Sequence, residues 1–317
     1  MKVGILVGRE NTLPQAFIDR VNSKNVEGIT AEMIRLGGTR MDEPIPYRVI
    51  VDRISHEIPY YRVYLKKAVA EGVIVINNPF WWSADDKFFE VVLAERLGVA
   101  VPRTVLVPNR AYDADIIDES LRNLIDPLPW DEYVAYTGLP AVLKPAIGGG
   151  NKNISIVRSV DELRDAWGKS GSLQMILQEF IEHQKYVRSF CLGRKHILIS
   201  RYDHSRPHEE RYVAGFQGLG DELLERVTRD VLTLCRALGY DMNTVEMAIR
   251  DDIPYAIDFL NPAPDMDRPS IKPERFEWVV ETLANVVIEF ARGEATPASQ
   301  FGWQSVLNAP REAAVSR

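Results

Sequence analysis

The chain has 317 residues, 46% apolar and 26% charged, with a net charge of −7; this is globular composition, long enough for two or three modest domains. The acidic balance argues against general affinity for nucleic acid or an anionic membrane, though it leaves room for a local basic pocket for phosphates. No stretch approaches the roughly 18 apolar residues of a membrane span, and the only cysteines, Cys191 and Cys235, sit among apolar residues, which reads as two reduced, buried thiols in a cytoplasmic protein.

Met1 to Val7 is too short for a signal segment and is ended by Arg9 and Glu10, so Val3 to Val7 reads as a first buried strand. Thr30 to Leu36 is expected to be a short helix stopped by Gly37-Gly38, Arg48 to Asp52 a second strand, Tyr60 to Glu71 a helix ended by Gly72, and Val73 to Ile76 a third strand. The alternation predicts a small parallel sheet. Ser83 is placed to cap a helix running to Leu97, with Asp85 and Asp86 at its positive end and Gly98 as the stop. Arg103 to Val107 reads as a strand, and residues 109 to 139 as an insertion with short helices around Asp115 to Ile125 and Trp130 to Thr137.

Ala141 to Pro145 and Ile154 to Val157 read as strands flanking the glycines 148 to 150. Ser159-Val160-Asp161-Glu162 reads as a capping box for a helix to Trp167. Leu173 to Phe180 is another strand. Val187 to Leu192 and Lys195 to Arg201 flank Gly193-Arg194 as a hairpin. Leu223, Val227, Val231, Leu234 and Leu238 mark a helix packed by one face. Thr244 to Arg250 and Pro254 to Phe259 form a second hairpin about Asp251-Asp252. Pro273 to Arg292 is a long last helix stopped by Gly293, and the last twenty or so residues read as a loose tail.

Several residues carry chemistry. Gly148, Gly149 and Gly150 between two strands free backbone N–H groups to close over phosphate oxygens, although a plain mobile hairpin fits them as well. Lys144, on an otherwise apolar strand before that loop, needs an anion if buried, either a bound phosphate or a structural carboxylate. Lys87 in the first turn of its helix opposes the helix dipole, which a second phosphate contact or simple exposure explains. Glu246 and Asp258 lie on the two strands joined by Asp251-Asp252, with Asn261 shortly after. Buried acids side by side repel unless a cation neutralises them, and carboxylate and amide oxygens suit Mg2+; pairing with Arg188 and Arg201 is the alternative. The strand end Gln178-Glu179-Phe180-Ile181-Glu182 offers backbone for an adenine edge and acids for ribose hydroxyls. Arg201, Arg206 and Arg211 suit an anionic substrate, or a solvated loop paired with Glu209 and Glu210. No pair among the five histidines has the spacing and setting of a zinc site.

Taken in order, Asp86-Lys87, Gly98 to Thr104, Leu143-Lys144-Pro145, the glycine loop, Gln178 to Ile181, Arg188, Glu246 and Ile257 to Pro262 resemble the ATP-grasp superfamily. The likeness is to its glutathione synthetase and ribosomal-protein glutamate-ligase branch and, more distantly, to D-alanine–D-alanine ligase, over roughly residues 45 to 265. The resemblance implies an α/β (α+β) fold in three parts: an N-terminal parallel-sheet domain over 1–83, a central subdomain with the glycine lid over 84–180, and a C-terminal subdomain with the metal site and tail over 181–317. It also implies ATP and Mg2+ as cofactors. Lys87, Lys144 and the lid Gly148 to Gly150 would hold phosphates, and Gln178, Glu179, Phe180, Ile181 and Glu182 the nucleoside. Glu246, Asp258 and Asn261 would bind metal, Arg188, Arg201 and Arg211 would sit at the reacting groups, and Arg53 would face substrate. Asp258-Phe259-Leu260-Asn261 is one residue longer than the family's Glu-x-Asn and has a shorter acid; Lys185 and Tyr186 replace the acid often found before the Arg188 position.

The implied reaction joins a carboxylate to an amine through an acyl-phosphate, with small-molecule partners, no nucleic acid or membrane, and a homodimer as a possibility. The rival reading is a nucleotide-binding protein that has lost turnover and acts as a sensor or partner.

Overall fold

The computed structural model describes residues 1–148, 152–213, 215 and 219–298. The chain divides into two compact units, the first of Met1–Asp85, Lys185–Met247 and Phe259–Arg317, the second of Asp86–Gln184 and Ala248–Asp258. Both are mixed α/β structures. Among the described residues no helix is long and apolar enough to cross a membrane.

The first unit opens with β1 (Lys2–Leu6), α1 (Leu13–Ser23), β2 (Thr30–Met33), β3 (Tyr47–Asp52), α2 (Pro59–Ala70), β4 (Ile74–Ile76) and the single turn α3 (Pro79–Trp82). The strands form a parallel sheet in the order β2-β1-β3-β4. Val3, Ile5, Val49 and Val51 are fully buried in it, as expected for a parallel sheet covered on both faces. Gly8 follows β1 where an added Cβ would lie 2.2 Å from the Arg53 carbonyl oxygen, so only glycine lets the two loops approach this closely.

The second unit begins with α4 (Lys87–Arg96) and β5 (Thr104–Val107). It continues through a 3-10 turn at Asp118–Leu121, α5 (Trp130–Thr137), β6 (Ala141–Pro145), β7 (Ser155–Val157), α6 (Val160–Gly168) and β8 (Met175–Glu179). Its antiparallel sheet has the order β5-β8-β6-β7. Trp130, Leu143, Val157, Leu163 and Leu177 fill its core.

The chain returns to the first unit with β9 (Lys185–Leu192), β10 (His196–Tyr202), the short β11 (Tyr212–Val213), α7 (Asp221–Leu238) and β12 (Met242–Arg250), in the sheet order β11-β10-β9-β12. β12 runs on into the second unit and turns through Asp251 and Asp252, both at positive φ, into β13 (Ile253–Asp258). α8 (Arg268–Ile271) and α9 (Pro273–Arg292) close the first unit. α9 packs Val279, Leu283, Val286 and Phe290 in one core with Phe190, Leu192 and the β1 face. On the opposite face of the sheet α7 brings Cys235 against Asn243, whose amide nitrogen lies 3.6 Å from the sulfur. Both cysteines are free and buried.

Three sequence expectations fail for identifiable reasons. Residues 30–33 form the edge strand β2 rather than a helix, because hydrogen bonding along β1 outweighs local propensity. A helix unforeseen from the sequence, α1, occupies Leu13–Ser23; Asp267, far along the chain, accepts from the N–H groups of Asn11, Thr12 and Leu13 and takes the role of its cap. Ser83 closes α3 by donating to the Pro79 carbonyl, and α4 starts four residues later, capped by Asp86, which accepts from the N–H groups of Phe88 and Phe89. In addition, Asp115 to Ile125 holds only the 3-10 turn. The Ser159 cap accepts from Glu162 N, while Glu162 accepts from Arg158 N and not from Ser159.

Asn77, after β4, is 1% exposed. Its amide donates to Met242 O and Pro262 O and accepts from Met242 N, so one side chain ties the parallel sheet to β12 and to the segment after residue 259. Asn77→Ala strands three buried backbone groups and is expected to cost about 3 kcal/mol. The check is a urea titration: the midpoint should fall at unchanged m-value, and a loss below about 0.5 kcal/mol would contradict this role.

Candidate functional site

In the second unit Lys87 meets the segment that follows β6, and Lys144 lies on β6 itself. The α4 cap holds Lys87 so that its N–H donates to Ala146 O at 3.0 Å while its Nζ donates to Gly148 O. Lys144, two residues before Ala146, donates from Nζ to Ile257 O at 3.0 Å. Their exposures are 8% and 7%, which removes the reading of Lys87 as a solvated lysine. A carbonyl dipole solvates an ammonium without cancelling its charge, so Lys87 leaves positive potential at the start of the glycine loop. Gly148 is in the left-handed region at φ 94°; Gly149 and Gly150 lie outside the described residues.

The β8 end belongs to the same unit. Gln178 is buried and donates to Thr104 Oγ1 at 3.0 Å. Glu179 accepts from Arg103 Nε and Arg250 Nη1, each at 3.1 Å. Burial pushes its carboxyl up, but the two arginines outweigh that and hold it below the usual carboxylate range. Phe180 is half-buried, Ile181 buried and Glu182 exposed. Asp258, at the end of β13, has a buried Oδ1 with no hydrogen-bond partner among the described residues.

The first unit gathers the remaining candidates. Arg188 and Tyr186 are two apart on β9, Thr244 and Glu246 two apart on β12, so each pair shares one face of the sheet. Arg188 Nε lies 3.4 Å from Glu246 Oε1, an ion pair without hydrogen-bond geometry. Arg188 also donates to Thr244 Oγ1 at 3.1 Å and lies 5.4 Å over the Tyr202 ring. Glu246 Oε2 accepts from the Tyr186 hydroxyl at 2.7 Å and lies 3.2 Å from His204 Nε2. Burial alone would raise the Glu246 carboxyl; His204, Arg188 and Tyr186 together bring it down to about 2. Asn261 donates from its amide nitrogen to Thr244 O at 2.9 Å. Arg53 is 4% exposed and forked onto Glu10 at 2.8 and 2.6 Å, with Pro264 O as a further acceptor.

Arg201 is half-buried on β10 and has no ion pair with any described residue. Arg211 donates to Arg206 O at 3.2 Å, and Arg206 pairs with Asp203 at 3.1 Å rather than with Glu209 or Glu210. Of the alternatives weighed for the acids, pairing of Glu246 with Arg188 is found. The sequence reading missed Tyr186, His204 and Thr244 around that pair, and Glu10, Arg103 and Arg250 as partners of charged candidates. The two-residue spacing on β9 and β12 was the available signal for Tyr186 and Thr244. Among the described residues no group of three or more His, Cys, Asp or Glu is placed to hold a metal ion.

No family model matches the chain. Of curated proteins, pyruvate carboxylase 1 of Caenorhabditis elegans is 26% identical over 133 residues, which is 37% of this chain and 11% of that protein; the match thus spans about a tenth of the relative's length. Of solved structures, a RimK-domain ATP-grasp protein of Sphaerobacter thermophilus superposes with a TM-score of 0.66 at 18% identity, covering 90% of this chain and 99% of that one. The D-alanine–D-alanine ligase of Bacillus anthracis, complexed with ATP, gives 0.60 at 17% identity, covering 93% and 98%. The chain therefore has the ATP-grasp fold, as its motif order implied.

The Glu246 carboxyl gives a pH test. It stays ionised in the folded chain to about pH 2, against an ordinary value of 4.5. A lowered carboxyl stabilises the fold fully above its unfolded value and loses that contribution as pH falls towards its folded value. Glu246→Gln should therefore lose stability at neutral pH, by about 3 kcal/mol, and show a shallower decline below about pH 4.5 than the parent chain. Urea titrations across the acid range read this directly; parallel acid limbs for the two proteins would refute it.

Proposed function

We propose that the chain is an ATP- and Mg2+-dependent ligase that joins a carboxylate to an amine through an acyl-phosphate. The observation that carries this reading is the burial of Lys87, whose Nζ donates to Gly148 O where the glycine loop opens, and of Lys144 on the strand that leads into that loop, within a fold shared with ATP-grasp ligases. In this reading the lysines hold ATP phosphates, the glycines close over them, and Gln178 to Glu182 receive the nucleoside.

In this reading Asp258, Glu246 and Asn261 would hold a magnesium ion, and the chemistry of each supports that role. Asp258 has a buried oxygen in want of a positive partner. Glu246 is ionised at any physiological pH, and the Asn261 nitrogen bond to Thr244 O leaves its amide oxygen for another partner. Bound there, Mg2+ would neutralise phosphate charge as the phosphoryl group moves. The carboxylate attacks the γ-phosphorus and ADP leaves. The amine then attacks the acyl carbon, phosphate leaves, and the amine gives up a proton. Arg188, Arg201 and Arg211 supply positive charge for the acidic substrate and the acyl-phosphate, with Arg53 on the substrate side; positioning and charge stabilisation are the main demands of such chemistry. The substrates fall within amino acids, peptides or small acids.

A second reading, an ATP-binding protein without turnover, is favoured by one feature: Arg188, Tyr186 and His204 already engage the Glu246 carboxylate. Calorimetry with Mg-ATP separates the possibilities. Binding is expected for the full chain and should weaken at least tenfold, or about 1.4 kcal/mol, in Lys144→Ala. Arg201→Ala should bind ATP normally and lose carboxylate-dependent ADP release. ATP binding with no ADP release across a panel of amino acids and small acids would favour the silent protein, and no binding at millimolar ATP would sink both.

A further inference from the structure

In the first unit, Ser200 lies opposite Arg188 in the β10–β9 ladder and Tyr202 opposite Tyr212 in the β10–β11 ladder, so all four side chains share one face of the sheet. Tyr212 is 7% exposed. Its ring stacks on Phe190 at a centroid distance of 5.6 Å and meets the edge of Tyr202 at 5.0 Å. Packing therefore fixes the ring, yet the hydroxyl at its tip is buried with no hydrogen-bond partner among the described residues. Burial pushes this hydroxyl up against the pull of Arg188, so it stays a neutral donor. Arg188 Nε is a second buried donor without a partner, and Arg188 Nη1 donates to the Tyr202 hydroxyl at 3.4 Å, which sets the guanidinium beside the two tyrosines.

A second guanidinium reaches the same tyrosine from α9. Arg275 lies 5.2 Å over the Tyr212 ring, and donates from Nε to Ser200 Oγ at 2.8 Å and from Nη2 to Val213 O at 3.2 Å. It has no ion pair with any described residue; Glu274, its neighbour on α9, is the acid whose charge bears on it. The acids that bear on Tyr212 are Glu246 and Asp265. Glu246 is shared with Arg188, and Asp265 Oδ2 lies 3.6 Å from His208 Nε2. A buried donor without an acceptor costs stability, and a phenylalanine would fill the place beside Phe190 without that cost, so the hydroxyl is best explained by a group it binds. The groups with spare capacity are donors and the cation without a carboxylate is Arg275, so the matching group is an oxyanion such as a carboxylate. The carboxylate that reacts ends as a neutral amide, whereas one that the substrate keeps throughout matches these donors before and after the reaction.

We propose that Tyr212, with Arg188 and Arg275 beside it, binds a second, non-reacting carboxylate of the acid substrate, which narrows that substrate to a dicarboxylic acid. The inference rests on the ligase reading for the reaction and on the first unit alone for the carboxylate site. Its test is titration calorimetry with glutarate and butyrate as probes, on the full-length chain and on Tyr212→Phe and Arg275→Gln, with Mg-ATP titrated into the same samples. Glutarate should bind the parent about tenfold more tightly than butyrate. Both variants should lose about tenfold in glutarate affinity while binding Mg-ATP as the parent does, and Tyr212→Phe should melt no lower than the parent, because it removes only an unpartnered hydroxyl. Equal affinities for the two acids, or a Tyr212→Phe protein that binds glutarate like the parent, would overturn the proposal. A Tyr212→Phe protein that melts well below the parent would overturn it too, since the hydroxyl would then serve a structural partner such as an ordered water. Glutarate bound without Mg-ATP would keep the carboxylate site and sink the ligase reading; Mg-ATP bound without glutarate would do the reverse.

Discussion

Glu246 and Arg188 are charges on adjacent strands of a covered sheet, and neither is stable there without the other. Burying a single ion in such a setting costs several kcal/mol, more than the packing of one side chain returns. The pair is accordingly set with fixed partners: Thr244 and Tyr202 around the guanidinium, Tyr186 and His204 around the carboxylate. The cost of this arrangement is carried by the apolar face that α9 completes with Phe190 and Leu192. The sheet thus supplies the rigidity, and the ion pair is a set of charged groups whose orientations are already fixed.

The second unit also buries charge. Lys87 is buried, and its Nζ donates to Gly148 O, a carbonyl that stabilises an ammonium without cancelling its charge. The negative group in the same unit is treated differently. Glu179 is pinned between Arg103 and Arg250, so its side chain is a structural brace at the strand end.

Regular elements whose signals are local were legible in the sequence. β6, α5 and α9 fall on the expected residues, since an apolar run, a proline start and a glycine stop are each read within a few positions. What failed depended on distant partners. The cap of α1 is Asp267, some 250 residues on, and β2 is a strand only because β1 lies beside it. The site divides the same way. The identity of the charged residues could be read from their placement on apolar strands, whereas their partners could not: Glu10 for Arg53, His204 for Glu246 and Arg250 for Glu179 are brought in by tertiary structure.

Tyr186, two residues before Arg188 on β9, acquires a physical sense from this geometry. A carboxylate at that position would share a sheet face with Glu246 and repel it. The tyrosine instead donates a hydrogen bond to Glu246 and adds its ring to those of Tyr202 and His204, at centroid distances of 6.3 and 4.5 Å. The hydroxyl keeps a donor on Glu246 without adding a second negative charge, which lets Glu246 remain ionised. Asp258, at the end of β13, is the contrasting case: its buried Oδ1 stands without a hydrogen-bond partner among the described residues, where the Glu246 carboxylate has three neighbours that favour its charge.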